Sequence, residues 1–374
     1  MTTAAELTFF LSGDVMLGRG IDQVLPHPVP PGLHEPYLRS ALGYVELAER
    51  AAGALPRPVD FGYVWGDALA ELRSRAPQAR IVNLETAVTL SEEAWPGKGI
   101  HYRMHPRNAP CLAAAGIDCC VLANNHVLDW GHAGLVETLD TLQRAGLRTA
   151  GAGRDAEEAA APAILEWAAG GRLLVFSFAT ESSGAPASWA AGPARPGIGL
   201  LADLSRQSCD AVARQVAAAR LPGDRVVVSI HWGGNWGYAV SREERAFAHR
   251  LIDAGAADVL HGHSSHHPRG IELYRGRAIL YGCGDFVNDY EGIGGHEAWR
   301  PELALMYFVT LAADGGELRG LELVPMRMRR FRLQRASDEE AAWLARTLDR
   351  ESRGFDTCVD LASPREIGVR PQFR

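Results

Sequence analysis

Short apolar runs recur along the chain, and most of them end in a polar cluster. Leu7 to Ser12 leads into Gly13-Asp14, and Ile81-Val-Asn-Leu-Glu85 ends in a carboxylate. Ile117 to Leu122 runs into Asn124-Asn-His-Val-Leu-Asp129. Arg225 to His231 and Ala257 to His263 end in histidines, and Ala278 to Tyr281 precedes Gly282-Cys-Gly-Asp285-Phe-Val-Asn-Asp289. Runs of this length, bounded by Gly, Asn and Asp, read as buried strands. Between them the apolar spacing turns helical, near residues 40–53, 65–74, 133–145 and 204–220. Ser241-x-x-Glu244 and Ser337-x-x-Glu340 are capping boxes that open two more helices. Hairpins are expected across Gly170-Gly171, Arg275-Gly-Arg277 and Asp314-Gly-Gly316. Residues 26–62 and 91–110 read as long loops of the kind that wall a site. The tail from 352 reads as polar and irregular. Alternating strands and helices predict an α/β fold of two stacked β-sheets flanked by helices. Residues 1–335 form a single domain in this reading, with a helix and tail at 336–374 packed on it.

Composition narrows the class. The 374 residues are 47% hydrophobic and 22% charged, ordinary for a globular chain. A net charge of −7 argues against a general nucleic-acid binder. The basic run Met326 to Arg335 reads as a strand with one arginine-lined solvent face. Six cysteines include no C-x-x-C pair and read as reduced thiols of a cytoplasmic protein. The first residues lack a secretion signal, and no apolar run reaches the roughly 18 residues of a membrane span. Neither nucleic acid nor membrane is expected as a partner.

The strand ends carry the candidate chemistry: Asp14; Glu85; Asn125, His126 and Asp129; His231; His261, His263 and His266; Asp285 and Asp289. They are expected to converge at one edge of one sheet. Carboxylates, an amide oxygen and neutral imidazoles are the ligand set of a divalent metal. His101, Arg103, His105 and Arg107 alternate in a loop, either lining an anion pocket or standing in solvent. Trp232, Trp236 and Tyr238 beside His231 either hold an aromatic peptide end or pack a Gly-rich loop.

The ordered series Gly13-Asp14, Asn83-Leu-Glu85, Asn124-Asn-His-x-x-Asp-x-Gly131, His231-Trp-Gly233, Gly262-x-x-x-His266 and Tyr281-Gly-x-Gly-Asp-Phe286 resembles the CapA family of poly-γ-glutamate capsule synthesis. The resemblance covers about residues 8 to 330 and implies a calcineurin-like metallophosphoesterase fold. It implies Asp14, Glu85, Asn125, His231 and one or more of His261, His263 and His266 as metal ligands, with His126 as the acid/base residue. Two departures stand out. Met16 occupies the position where phosphoesterases carry a histidine, and Ser264 replaces the first His of the family's late Gly-x-His-Pro-His. One divalent cation per chain is therefore expected, calcium before manganese.

The resemblance implies a metal-dependent epimerase acting on the C-terminal residue of a precursor peptide, as in lasso-peptide pathways. Inverting a Cα needs one base on each face of the carbon. His126 and His266, oriented by carboxylates such as Asp14, Asp129 or Asp285, would serve, with His101, Arg103, Trp232 and Trp236 holding the peptide. The alternatives are a metal-dependent phosphoesterase and a non-catalytic polyglutamate-binding protein.

Overall fold

The computed structural model describes residues 6–167, 171–363 and 365–372. The chain start, read above as no secretion signal, and Gly170 of the first expected hairpin lie outside the described residues. Glu6–Val15 is the organising strand. It pairs in parallel with Ala79–Leu84 and antiparallel with Leu303–Ala312. The first sheet runs in the order 357–363, 366–371, 318–329, 303–312, 6–15, 79–84, 119–121, 148–150. The second runs 200–201, 171–180, 225–231, 259–263, 277–280, 271–274, and Ala163–Trp167 pairs with 171–180 at its side.

Period-two alternation stacks the layers. Phe9 and Leu11 point into the space between the sheets, where they join Ile81 and Val121 and meet Val175, Val227 and Val259 of the second sheet. Phe10, Val82 and Cys120 point the other way, onto Val45, Leu72 and Leu139 of the helices Leu42–Ala52, Ala68–Arg75 and Gly131–Arg144. On the far side, Val226, Val228 and Ile230 meet Val216 and Phe247 of the helices Arg206–Ala219 and Arg242–Asp253. Helices, sheet, sheet and helices make four layers, as the resemblance implies. Both capping boxes form, at Ser241 and Ser337. Among the described residues no helix is long and apolar enough to cross a membrane.

Three expectations need correction. The tail is not irregular: Thr357–Ser363 and Glu366–Pro371 form a hairpin whose second strand pairs with Leu318–Arg329. Its buried apolar residues are few, Val359 and Ile367, so the alternation that marks a strand was faint. The C-terminal segment therefore extends the first sheet as well as packing on it. The polar clusters also do not share one sheet edge. Glu6–Val15, Ala79–Leu84 and Cys119–Val121 deliver theirs from the first sheet, Arg225–His231 and Val259–His263 from the second, and the clusters meet in the seam between. Strand patterning does not say which sheet a strand joins. The basic run is not one strand but a hairpin: Leu318–Arg329 turns at Arg330-Phe331 into Arg332–Arg335, which pairs back on it, and only the alternation of buried Met326 and Met328 with outward Arg327 and Arg329 holds as read.

One close approach fixes the seam. The Asp14 N–H donates to Gly284 O at 3.0 Å, and Asp14 stands in register with Asp285. A Cβ on Gly13 would lie 1.7 Å from Gly284 O, so only glycine admits this contact. Gly13→Ala is expected to lower stability by about 3 kcal/mol, as overpacking does. Gly32→Ala, where a Cβ meets open space, should leave the urea midpoint nearly unchanged. Equal midpoints for the two variants would refute the close approach.

Candidate metal centre

A shift in strand register between Ser12 and Asp14 turns the Asp14 carboxylate into the seam. Its Oδ1 accepts from Asn83 Nδ2 at 2.7 Å, while its Oδ2 is buried with no hydrogen-bond partner among the described residues. The same Asn83 amide reaches Glu85 Oε2 at 3.3 Å. Asn83 Oδ1 accepts from Asn124 Nδ2 at 3.0 Å, and Asn124 Oδ1 accepts from the N–H groups of His126 and Val127. This amide chain sets the turn that aims Asn125 and His126.

His231 and His263 arrive as register partners on adjacent strands of the second sheet, their Nδ1 atoms 2.7 Å apart. His231 Nε2 is 3.0 Å from Asn125 Oδ1 and 3.8 Å from Glu85 Oε1. His263 Nδ1 is 4.0 Å from Asp14 Oδ1. Five residues proposed as ligands, Asp14, Glu85, Asn125, His231 and His263, are thus brought together. Donor atoms of Asp14, His231 and His263 lie within 4.8 Å of one another, and so do those of Asp14, His266 and Asp285.

Burial, and Asp285 after it, push the Asp14 carboxyl up to about 7. Burial and the neighbouring Asp14 hold Glu85 well above its ordinary range. Burial holds His231 and His263 well below theirs. Neutral imidazoles facing carboxylates that repel one another are completed by a cation. With the unpartnered Oδ2 of Asp14, this donor set fits a divalent metal.

Two imidazoles flank the centre, each fixed by a carboxylate. His126 Nδ1 is 2.6 Å from Asp129 Oδ2, and its Nε2 lies 3.8 Å from Glu85 Oε1. His266 Nδ1 is 2.8 Å from Asp285 Oδ1, which leaves Nε2 3.5 Å from the Tyr290 hydroxyl. Burial pushes His126 down to about 4. Against the cost of burial, Asp285 raises His266. Tyr102 and Tyr290 stand edge-on to the two rings, with their hydroxyls 3.4 Å apart.

Several assigned residues lie elsewhere. His261 gives Nε2 to Ser12 O at 2.8 Å and keeps Nδ1 3.1 Å from Ser229 Oγ. It ties the sheets together and has no nitrogen left for a metal. Trp232 is buried, donates Nε1 to Tyr281 O at 2.9 Å and stacks on Tyr281, so it is core. His101 donates Nε2 to Trp95 O, and Arg103 donates to Ser91 O while lying over Trp130. These bonds hold the loop together, so these two residues form no anion pocket. His105 caps a short turn by accepting from Arg107 N. Tyr238 packs on His267, and Trp236 alone of the aromatic trio reaches His266. Asp289 binds Arg19, not a histidine. Met16 Sδ, at the position of the missing histidine, lies 3.8 Å from the Tyr290 hydroxyl.

Three functional neighbours escaped the sequence reading. Lys98 bonds Asp129 and Asn125 O, with Nζ 3.0 Å from His126 Nδ1. It is the one lysine among 38 lysines and arginines, a signal that could have drawn notice. Arg19, held at φ 48°, bonds Asp289, Glu35 and Tyr44. Tyr290 had no signal of its own.

Comparison with known proteins adds the following. The family described as bacterial capsule synthesis protein PGA_cap matches residues 8–290. A probable polyglutamine synthesis accessory protein of Mycobacterium tuberculosis is 52% identical over 350 residues, 93% of this chain and 92% of that one. The capsule biosynthesis protein CapA of Bacillus anthracis is 26% identical over 297 residues, 76% of this chain and 60% of that one. A solved phosphatase from Mycoplasma pneumoniae aligns with a TM-score of 0.46 at 13% identity, covering 87% of this chain and 95% of that one.

The carboxylates give the centre a pH signature. Folding favours protonated Asp14, since its carboxyl is raised to about 7 from 3.8. In metal-free protein this stabilisation is complete below about pH 4 and is lost as pH rises through 7. A cation binds the ionised form. The rise in melting temperature on adding Mn2+ to chelated protein should therefore be small at about pH 5 and large at about pH 8. It should vanish in Asp14→Asn. A rise independent of pH, or intact in Asp14→Asn, would count against the site.

Proposed function

We propose that this chain, which belongs to the bacterial capsule synthesis protein PGA_cap family, is a metal-dependent enzyme that exchanges the proton on a peptide Cα, an epimerase. The observation that carries this is the pair of carboxylate-bound imidazoles, His126–Asp129 and His266–Asp285. In each, the carboxylate fixes Nδ1 and leaves Nε2 to act. Their environments shift them in opposite directions, one toward the neutral base and one toward the protonated acid. Such a split is how acid and base roles are divided between like groups. His126 Nε2 takes the Cα proton, and His266 Nε2 returns one to the opposite face. Lys98 keeps Asp129 charged and the His126 ring oriented. Tyr102 and Tyr290 wall off solvent.

A divalent cation held by Asp14, Glu85, Asn125, His231 and His263 would supply Lewis-acid polarisation of the substrate carbonyl. Two imidazoles among the donors suit Mn2+ or a similar transition ion better than Ca2+, which prefers oxygen throughout. This reverses the preference drawn from the sequence. A second reading, a metal-dependent hydrolase, is favoured by the group Asp14, His266 and Asp285. If that group also held a cation, His266 would serve as a ligand rather than a proton carrier, and two ions would supply the chemistry used in hydrolysis.

The test uses metal-loaded protein and a mixture of N-acetylated peptides differing in the C-terminal residue, in heavy water. Mass spectrometry should show one deuterium gained at Cα with no cleavage, at one cation per chain. His126→Gln and His266→Gln should each slow exchange by about 10²- to 10⁴-fold, the usual worth of a general acid or base. Cleavage without deuterium, together with two cations per chain, would replace this reading with the hydrolase.

A further inference from the structure

We infer that the cavity opening beside His266 is a subsite for an apolar, aromatic side chain of the substrate. The inference rests on the peptide-directed reading above and names what that peptide presents. The cavity measures about 500 Å³ and reaches the centre through His266 and Tyr290. Its walls are Tyr37, Leu38, Leu47, Trp236 and Ile293. Tyr37 and Ile293 are 63% and 38% exposed at its rim, open apolar surface that continues into the candidate site.

Trp236 forms the platform. Its ring stacks on His296 at 3.9 Å and 6°, with Trp299 at 5.4 Å, and lies 5.3 Å from His266. A ring held by stacked neighbours, His296 and His267, lines the cavity with aromatic surface at little entropic cost.

Charge argues against the other obvious occupant, a glutamate chain. Of the two arginines on the wall, one is buried with its acids and the other stands in solvent at the rim. Arg19 is buried against Asp289 and Glu35, and Arg50 stands 3.9 Å from Glu46. A carboxylate pressed against the apolar walls would lose water and meet no buried cation that lacks an acid of its own, since His266 too is held by Asp285. An indole or phenyl group loses nothing by entering.

The test is binding, which needs no turnover. Metal-loaded protein is titrated by calorimetry with N-acetylated Ala-Ala-Ala-Xaa peptides, Xaa being Trp, Phe or Glu, and with γ-linked tetraglutamate. The Trp and Phe peptides should bind at least about tenfold more tightly than the other two, the worth of one good aromatic contact. Trp236→Ala should remove that advantage. Ile293→Glu, on the exposed rim, should do so as well if Trp236→Ala fails to fold. Equal or tighter binding of tetraglutamate, no binding of the aromatic peptides, or aromatic binding untouched in a folded variant would overturn the inference. Aromatic peptides that bind but exchange no Cα proton would sink the epimerase and leave the subsite standing. Exchange confined to glutamyl chains would do the reverse.

Discussion

Asp14 is carried into a closed seam by main-chain contact between Gly13 and Gly284, and most of the surrounding design answers the charge that arrives there. Glu85 joins it through the shared Asn83 amide, and Asp285 stands in register beside it. Carboxylates this close in a low-dielectric interior cannot all ionise unaided. The second sheet contributes imidazoles rather than ammonium or guanidinium groups. The seam therefore keeps its negative potential and its lone pairs. An Arg in place of His263 would neutralise Asp14 and leave an inert ion pair.

The next ring of residues separates two kinds of histidine. Those inside the seam, His231 and His263, hold each other and Asn125. Those at its margin, His126 and His266, are each braced by a carboxylate that takes no part in the pairing of Asp14 with Asn83. Lys98 bonds one of these carboxylates, Asp129, while Arg19 is held nearby by two other acids, Asp289 and Glu35. Cations fully bound to acids in this way orient their partners while offering nothing to a passing anion. In the 101–107 stretch, His101 and Arg103 give their donors to main-chain oxygens instead and so hold the loop rather than line a pocket.

Much of this was legible in the sequence because strand ends are punctuated by short polar motifs. Asp14, Glu85, Asn125, His126 and His231 all sit directly after apolar runs, and parallel strands send such residues to a common end. His261 misled because it has the same spacing and chemistry as His263. Only the approach of Ser12 O to its ring separates the two roles. Trp232 misled because position in a Gly-rich loop does not reveal which way an indole turns. Arg19 and Tyr290 were silent because their importance comes from contacts across long loops, which carry no period, and Lys98 was marked only by being the one lysine of the chain. The sharing of the site between two sheets was hidden for a related reason: strand patterning records burial, not partnership.

The central strand Glu6–Val15 finds its antiparallel neighbour in Leu303–Ala312, so Glu6 pairs with Ala312 almost a whole chain later. That neighbour lies beyond the segment matching the family, residues 8–290. It is bordered in turn by Leu318–Arg329 and the closing hairpin. During synthesis the strand bearing Asp14 leaves the ribosome long before Leu303–Ala312, with one edge unsatisfied until that strand follows. Pairing over such a distance makes folding slow and leaves an exposed strand edge for other chains to meet. Assembly of the centre thus waits on Leu303–Ala312, and the vulnerable period falls on the nascent chain rather than on the folded protein.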